Sequence, residues 1–138
     1  MNTLAGRGGG TVLVFDFGMK HIGIAVAEPQ ADLARGLTTI PAKSGEPHWQ
    51  ALDPVVAEWQ PECLVVGLPI NMDGTPSEGS AQARRFGKRL AARYDLTVDY
   101  ADERLSTFEA ISRGAPPDAA HTQAAQVIGE TWLNERLP

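Results

Sequence analysis

Two short, nearly continuous apolar runs stand near the start of the chain, Thr11-Val-Leu-Val-Phe-Asp-Phe17 and His21-Ile-Gly-Ile-Ala-Val-Ala27. Runs this apolar and β-branched predict strands covered on both faces. The Gly18-Met-Lys-His21 turn between them is too short for a crossover, so the two strands are antiparallel neighbours. A third extended segment, Leu33 to Ile40, is closed by Pro41 and completes a three-stranded meander. Gly23 lies inside the second run and predicts a close approach of another part of the chain.

The period then changes. Trp49, Leu52, Val55, Val56 and Trp59 recur at spacings of three and four, which gives a helix between Pro47 and Trp59 with Pro54 as a kink or first-turn residue and Pro61 as its stop. Glu62-Cys-Leu-Val-Val-Gly67 is a compact fourth strand, parallel to the first through a right-handed crossover. Leu68 to Pro76 reads as a loop, and Ser77 or Ser80 is the expected cap of the next helix. That helix, Ala81 to Tyr94, buries Ala83, Phe86, Leu90 and Tyr94 and turns Arg84, Arg85, Lys88, Arg89 and Arg93 outward. Leu96-Thr-Val-Asp-Tyr-Ala101 alternates as a fifth strand ending at Asp102-Glu103. A short helix after Ser106, a break at Gly114-Ala-Pro-Pro117 and a last helix from Ala119 to Leu133 complete the order.

At 138 residues, with 43% hydrophobic and 21% charged positions, the chain is the size of one globular domain, expected over residues 11–138 behind a flexible glycine-rich leader at residues 1–10. Cys63 has no intramolecular partner and no Cys/His set has zinc spacing, which fits a reducing, cytoplasmic setting. No apolar stretch is long enough for a membrane span. The net charge of −5 excludes coating of nucleic acid by bulk attraction, yet five of the twelve basic residues lie within Arg84 to Arg93, so a local basic face for a phosphate backbone remains open beside the plainer reading of a solvated helix surface.

Three meandering strands followed by helix, strand, helix, strand and helices predict an α/β fold: a mixed five-stranded sheet, three strands antiparallel and two parallel, flanked by helices, which matches the ribonuclease H-like topology. Working groups in such sheets collect beyond the carboxyl ends of the parallel strands. Asp16 sits there, and Asp102-Glu103 ends the fifth strand. A carboxylate in so apolar a strand needs a partner, a donor network such as the Gly18 turn, or a metal. Grouped carboxylates suit Mg²⁺ or Mn²⁺ and, with them, phosphodiester hydrolysis.

Four blocks carry a resemblance: Phe15-Asp-Phe-Gly-Met-Lys-His-Ile-Gly-Ile-Ala-Val26, Val66-Gly-Leu-Pro-Ile-Asn-Met-Asp-Gly-Thr75, Asp102-Glu-Arg-Leu-Ser-Thr107 and Ala124-Ala125. In this order they resemble the successive motifs of the YqgF/RuvX family, over about Val12 to Leu133. The resemblance implies a bacterial cytoplasmic nuclease of ribonuclease H-like fold acting on the 5′ end of pre-16S ribosomal RNA, with precursor ribosomal particles as partners. Resolution of Holliday junctions, a branched DNA substrate, is the competing activity. It also implies that Asp16 and Glu103 are catalytic and metal-binding, and that Arg104, Ser106 and Thr107 contact nucleic acid, Arg104 as a phosphate clamp. The family's third acid falls on His121 here. Either His121 takes its place at the metal, Asp118 substitutes for it, or His121 is an exposed or capping residue. Lys20 and Asn71 are further candidates for nucleic-acid contact, with Arg84, Arg85, Lys88 and Arg89 of the basic helix; Asn71 has an equal claim as a plain loop residue, and Asp73 is a turn former or a contact. His21 and His48 are expected at the surface or in packing, and Trp49, Trp59 and Trp132 in the core. The changed third acid also admits a different class of function, a non-catalytic nucleic-acid-binding assembly factor. A sugar-kinase or actin-like ATPase needs two such domains around its nucleotide, and this chain supplies one.

Overall fold

The computed structural model describes residues 10–71, 73–104 and 117–136. The leader at residues 1–9, the short helix after Ser106, Ser106 and Thr107 themselves and most of the Gly114-Pro117 break lie outside the described residues. Strands β1 (Val12–Asp16), β2 (His21–Glu28), β3 (Leu33–Lys43) and β4 (Glu46–Pro47) precede helix α1 (Trp49–Trp59); β5 (Cys63–Ile70), α2 (Gly79–Tyr94), β6 (Thr97–Arg104) and α3 (Pro117–Arg136) follow. They form one sheet of order β4-β3-β2-β1-β5-β6. The meander is antiparallel, while β5 pairs parallel with β1 and β6 parallel with β5.

The ribonuclease H-like order holds, with differences at the margins. A sixth strand is present because Ser44 (φ 52°) and Gly45 (φ 84°) reverse the chain in left-handed conformations and lay Glu46–Pro47 back on β3. β3 runs through Pro41, which was expected to close it. Pro54 sits inside α1 without ending it; the N–H it lacks would have reached the carbonyl of Gln50, an exposed residue. Neither Ser77 nor Ser80 caps α2: its N-cap is Glu78, with no side-chain bond, and both serine hydroxyls donate to the Pro69 carbonyl, at 2.9 and 2.6 Å, fastening the helix start to the end of β5. β5 runs three residues past its expected end, to Ile70, and β6 one residue past Glu103, to Arg104, since each completes the other's ladder. Asp102 and Glu103 are therefore strand residues.

Alternation along the strands sorts the core into two faces. Leu13, Phe15, Ile22, Ile24, Val26, Leu64, Val66 and Leu68 pack with α1 and α2, where Phe86 meets Phe15 edge-on at 5.7 Å. Val12, Val14, Ala25, Ala27, Val65 and Ala101 pack under Ala125, Ile128, Trp132 and Leu133 of α3. Trp132 is buried as expected and donates to Asp99 at 2.9 Å, whereas Trp49 and Trp59 are half-buried at the rim of the other core.

Candidate active site

Asp16 is the last residue of β1 and alternates with Val12 and Val14, so its carboxylate points to the α3 face. It is 3% exposed. Gly67 on β5 and Glu103 on β6 share that face, and Glu103 Oε1 comes within 3.2 Å of where a Cβ on Gly67 would stand. A larger residue at Gly67 would also meet Ile128 of α3. The strand ends therefore bring two carboxylates to one water-poor edge, with a glycine leaving the space beside them.

Helix α3 supplies the third group. Gly23, which pairs with Asp16 across β1 and β2, has no side chain, and a methyl there would collide with the His121 carbonyl. The helix backbone thus lies directly on β2, and His121, one turn into α3, points at the sheet with its Nδ1 2.8 Å from Asp16 Oδ2. The capping alternative for His121 is excluded by that position. His21, at the start of β2, lies with its ring 5.7 Å from that of His121 and tilted by 31°. Its place beside the site is a finding of the fold, since the sequence reading assigns His21 to the surface or to packing. The signal for it is the alternation itself, because His21, Gly23, Ala25 and Ala27 share the α3 face.

The electrostatics follow from burial. Desolvation pushes the Asp16 carboxyl up, against the hydrogen bond and charge of His121, which favour the ionised form. Glu103 is pushed up to about 8, first by burial and then by the Asp16 charge. Two acids that each resist ionisation beside the other suit a divalent cation, whose charge would reverse both effects. Asp16 and Glu103 would hold it, with the His121 imidazole as a nitrogen donor or as the group that orients Asp16. Among the described residues no cluster of three or more His, Cys, Asp or Glu side chains is already arranged around an ion position.

The other sequence-derived candidates are spread wider. Lys20 is exposed in the β1–β2 turn, which is fastened to the β3–β4 hairpin by the Ala42 N–H on the Lys20 carbonyl and the Gly45 N–H on that of Met19. Asn71 folds its own loop, its amide donating to Thr75 Oγ1 at 3.0 Å, and Asp73 accepts from the Thr75 N–H and hydroxyl as a turn former. Arg104 ends β6 and Asp118 is the second residue of α3; their side chains lie outside what is described. His48 is the exposed N-cap residue of α1, without a side-chain cap bond. The basic helix is the main displacement: α2 packs on the opposite face of the sheet from Asp16 and Glu103. Arg84, Arg85, Lys88 and Arg89 are exposed there, Arg84 lies over the Tyr100 ring at 5.2 Å and Arg89 is 3.9 Å from Glu46. Arg93 is committed to a bidentate pair with Asp53, at 2.9 and 2.6 Å, that ties α2 to α1.

Comparison with known proteins fits this geometry. Residues 10–135 match the model of the family described as RuvX, Holliday junction resolvase. A Pseudomonas putida protein named "Putative pre-16S rRNA nuclease" is 52% identical over 134 residues, covering 88% of this chain and 93% of the relative. One of the same name from Dechloromonas aromatica is 49% identical over 135 residues and 90% of each chain. Among solved structures, Thermus thermophilus RuvC in complex with a Holliday junction substrate superposes with a TM-score of 0.53 at 17% identity, covering 92% of this chain and 95% of that one. The fowlpox virus Holliday junction resolvase gives 0.51 at 8% identity, over 92% and 99%.

Proposed function

The chain belongs to the RuvX family, and from that membership we propose that it is a metal-dependent endonuclease that trims the 5′ end of pre-16S ribosomal RNA in the cytoplasm, on precursor ribosomal particles. The observation that carries the reading is the convergence of buried Asp16 and Glu103 with His121 on one face of the sheet. The names of the relatives supply the RNA substrate.

A divalent cation, Mg²⁺ or Mn²⁺, would supply charge neutralisation at the phosphate and a more acidic attacking water. The protein's own part is distinct. Asp16 and Glu103 present oxygens from neighbouring parts of one sheet edge, so their separation is set by the sheet rather than by a loop. His121 holds one Asp16 oxygen and with it the orientation of the carboxylate. The apolar floor of Val14, Val65 and Ile128 keeps bulk water from screening these charges. Lys20 on its braced turn would take phosphate at this edge; Arg104, Asn71, Ser106 and Thr107 are the further nucleic-acid contacts of this reading. Arg84, Arg85, Lys88 and Arg89 would engage a more distant stretch of backbone, because they occupy the other face.

A second reading, cleavage of branched DNA, is favoured by the family's own description. Both are tested by comparing a labelled pre-16S 5′ leader with a four-way DNA junction, under Mg²⁺ or Mn²⁺, for wild type and Asp16→Asn. Cutting of the leader that is abolished in the variant is expected. Cutting of the junction alone would move the assignment to DNA. No cutting of either substrate, with RNA binding intact, would leave a nucleic-acid-binding assembly factor whose site decayed at His121.

A further inference from the structure

Beside the carboxylates, a cleft of about 400 Å³ opens between β3 and the first turns of α3, lined by Leu37, Thr38, Thr39, Ala119, Thr122 and Gln123. Its position is fixed by register. Asp16 pairs with Gly23, and Gly23 with Thr39, so Thr39 lies in the same cross-sheet row as Asp16. Two strand spacings put it roughly 10 Å from the carboxylate. Thr122 follows His121 in the chain, and its hydroxyl is 2.7 Å from that of Thr39, either oxygen being able to donate. The cleft is therefore built from the same helix that supplies His121, on the same face and within reach of a neighbouring nucleotide.

Its chemistry differs from that of Lys20 and of the basic residues of α2. Among the described residues the lining presents on this face the hydroxyls of Thr39 and Thr122 and the primary amide of Gln123, with no charged side chain. Such a set offers nothing to attract a phosphate or a cation, but hydroxyls and amides both donate and accept, which matches neutral groups that do the same. Ala119 adds apolar contact suited to sugar carbons. A ribose 2′-hydroxyl is a donor and acceptor at a fixed place along the strand, and it is the group that distinguishes RNA from DNA.

We propose that this cleft reads the 2′-hydroxyl of a nucleotide next to the scissile phosphate, and so makes the protein selective for a ribose strand. The proposal rests on the nuclease reading for the place of the scissile phosphate. Its test does not need cleavage. Binding of a fluorescein-labelled pre-16S 5′ leader and of its all-deoxy copy is measured with Asp16→Asn protein, alone and combined with Thr39→Val and Gln123→Ala. One or two hydrogen bonds to 2′-hydroxyls predict about tenfold tighter binding of the RNA, falling to near parity in the triple variant. Thr39→Ser in place of Thr39→Val retains the hydroxyl and should keep most of the preference. An unchanged RNA-to-DNA ratio in the triple variant, equal binding of both strands by the parent, or binding of neither would each overturn the proposal. A wild-type enzyme that fails to cut, while the ratio still collapses in the variant, would refute the nuclease reading and leave the cleft standing. In a cutting enzyme, single 2′-deoxy substitutions should slow cleavage at one or two positions on one side of the cut, and a uniform effect along the strand would exclude a local cleft.

Discussion

Asp16 Oδ2 lies 2.8 Å from His121 Nδ1, although the two residues are 105 positions apart, and their side chains keep only 5% and 19% of their surface exposed. The contact places an imidazole where the resemblance implies an acid. Restoring it with His121→Asp would set a third carboxylate against Asp16 and Glu103 in the same water-poor edge. The variant should be less stable than wild type in chelator at pH 8, by on the order of 1–3 kcal/mol. It should also gain more than wild type on addition of Mg²⁺. Thermal denaturation with and without the ion checks both signs, and a variant as stable as wild type in chelator would separate residue 121 from the carboxylate pair.

Glu103 makes stability depend on pH. Its carboxyl is held at about 8 in the fold against an ordinary 4.5, so between those values the folded chain binds more protons than the unfolded one. Stability from this group is complete below about 4.5 and falls as pH rises toward 8. Glu103→Gln abolishes the ionisation and should raise Tm at pH 8, by on the order of 1–3 kcal/mol of stability, while changing little near pH 4.5. Melting curves across that range should converge at the acid end; parallel curves would show that Glu103 is not the group responsible.

Asp16→Asn keeps the shape and an acceptor for His121 while removing the charge. Cleavage should fall by a factor on the order of 10² to 10⁴ with the circular dichroism spectrum unchanged. Cutting at the wild-type rate with the same metal dependence would remove Asp16 from the chemistry.

Gly23 is where helix and sheet touch. Gly23→Ala puts a methyl into the His121 carbonyl, so α3 must move off β2. The expected loss is about 1–3 kcal/mol, the usual cost of overpacking a tight contact, and it should be accompanied by weaker cleavage because His121 moves with the helix. Urea titration measures the first effect. An alanine variant of wild-type stability would show that the helix is not seated on the strand.

Charge reversal at Arg85 and Lys88 separates binding from chemistry, because both are exposed on α2, across the sheet from Asp16. RNA affinity should fall, and the slope of log Kd against log salt should become shallower by roughly one for each phosphate that α2 no longer neutralises. The rate at saturating RNA should stay unchanged. A lower kcat with an intact salt slope would mean that α2 acts on the fold rather than on the nucleic acid.

Much of this was legible in the sequence because it is local. Apolar runs and a three-to-four spacing specify strands and helices through the backbone's own periods, so the order of elements, the parallel pairing of β5 and the exposed basic stripe of α2 follow from the chain read in short windows. Asp16 was legible for the same reason: a carboxylate in an apolar strand is an energetic anomaly wherever the strand goes. Gly23 announced a close approach without naming what approaches. The boundaries were less legible. Pro54 inside α1, Pro41 inside β3 and Ser80 turned to Pro69 each show a tertiary partner or solvent overriding a local preference.

The tertiary structure alone decided which distant residues meet. A helix face carries no record of the side of the sheet it will cover, so nothing in the chain could put the basic stripe opposite Asp16 or seat α3 on β2. Strand register, fixed by the pairing of Asp16 with Gly23 and of Gly23 with Thr39, then carried His21, His121 and the threonine cleft to the carboxylate edge. The sequence determined the groups that chemistry needs; packing of two different helix layers on the two faces of one sheet decided where they stand, because burial is satisfied by whole surfaces and not by single residues.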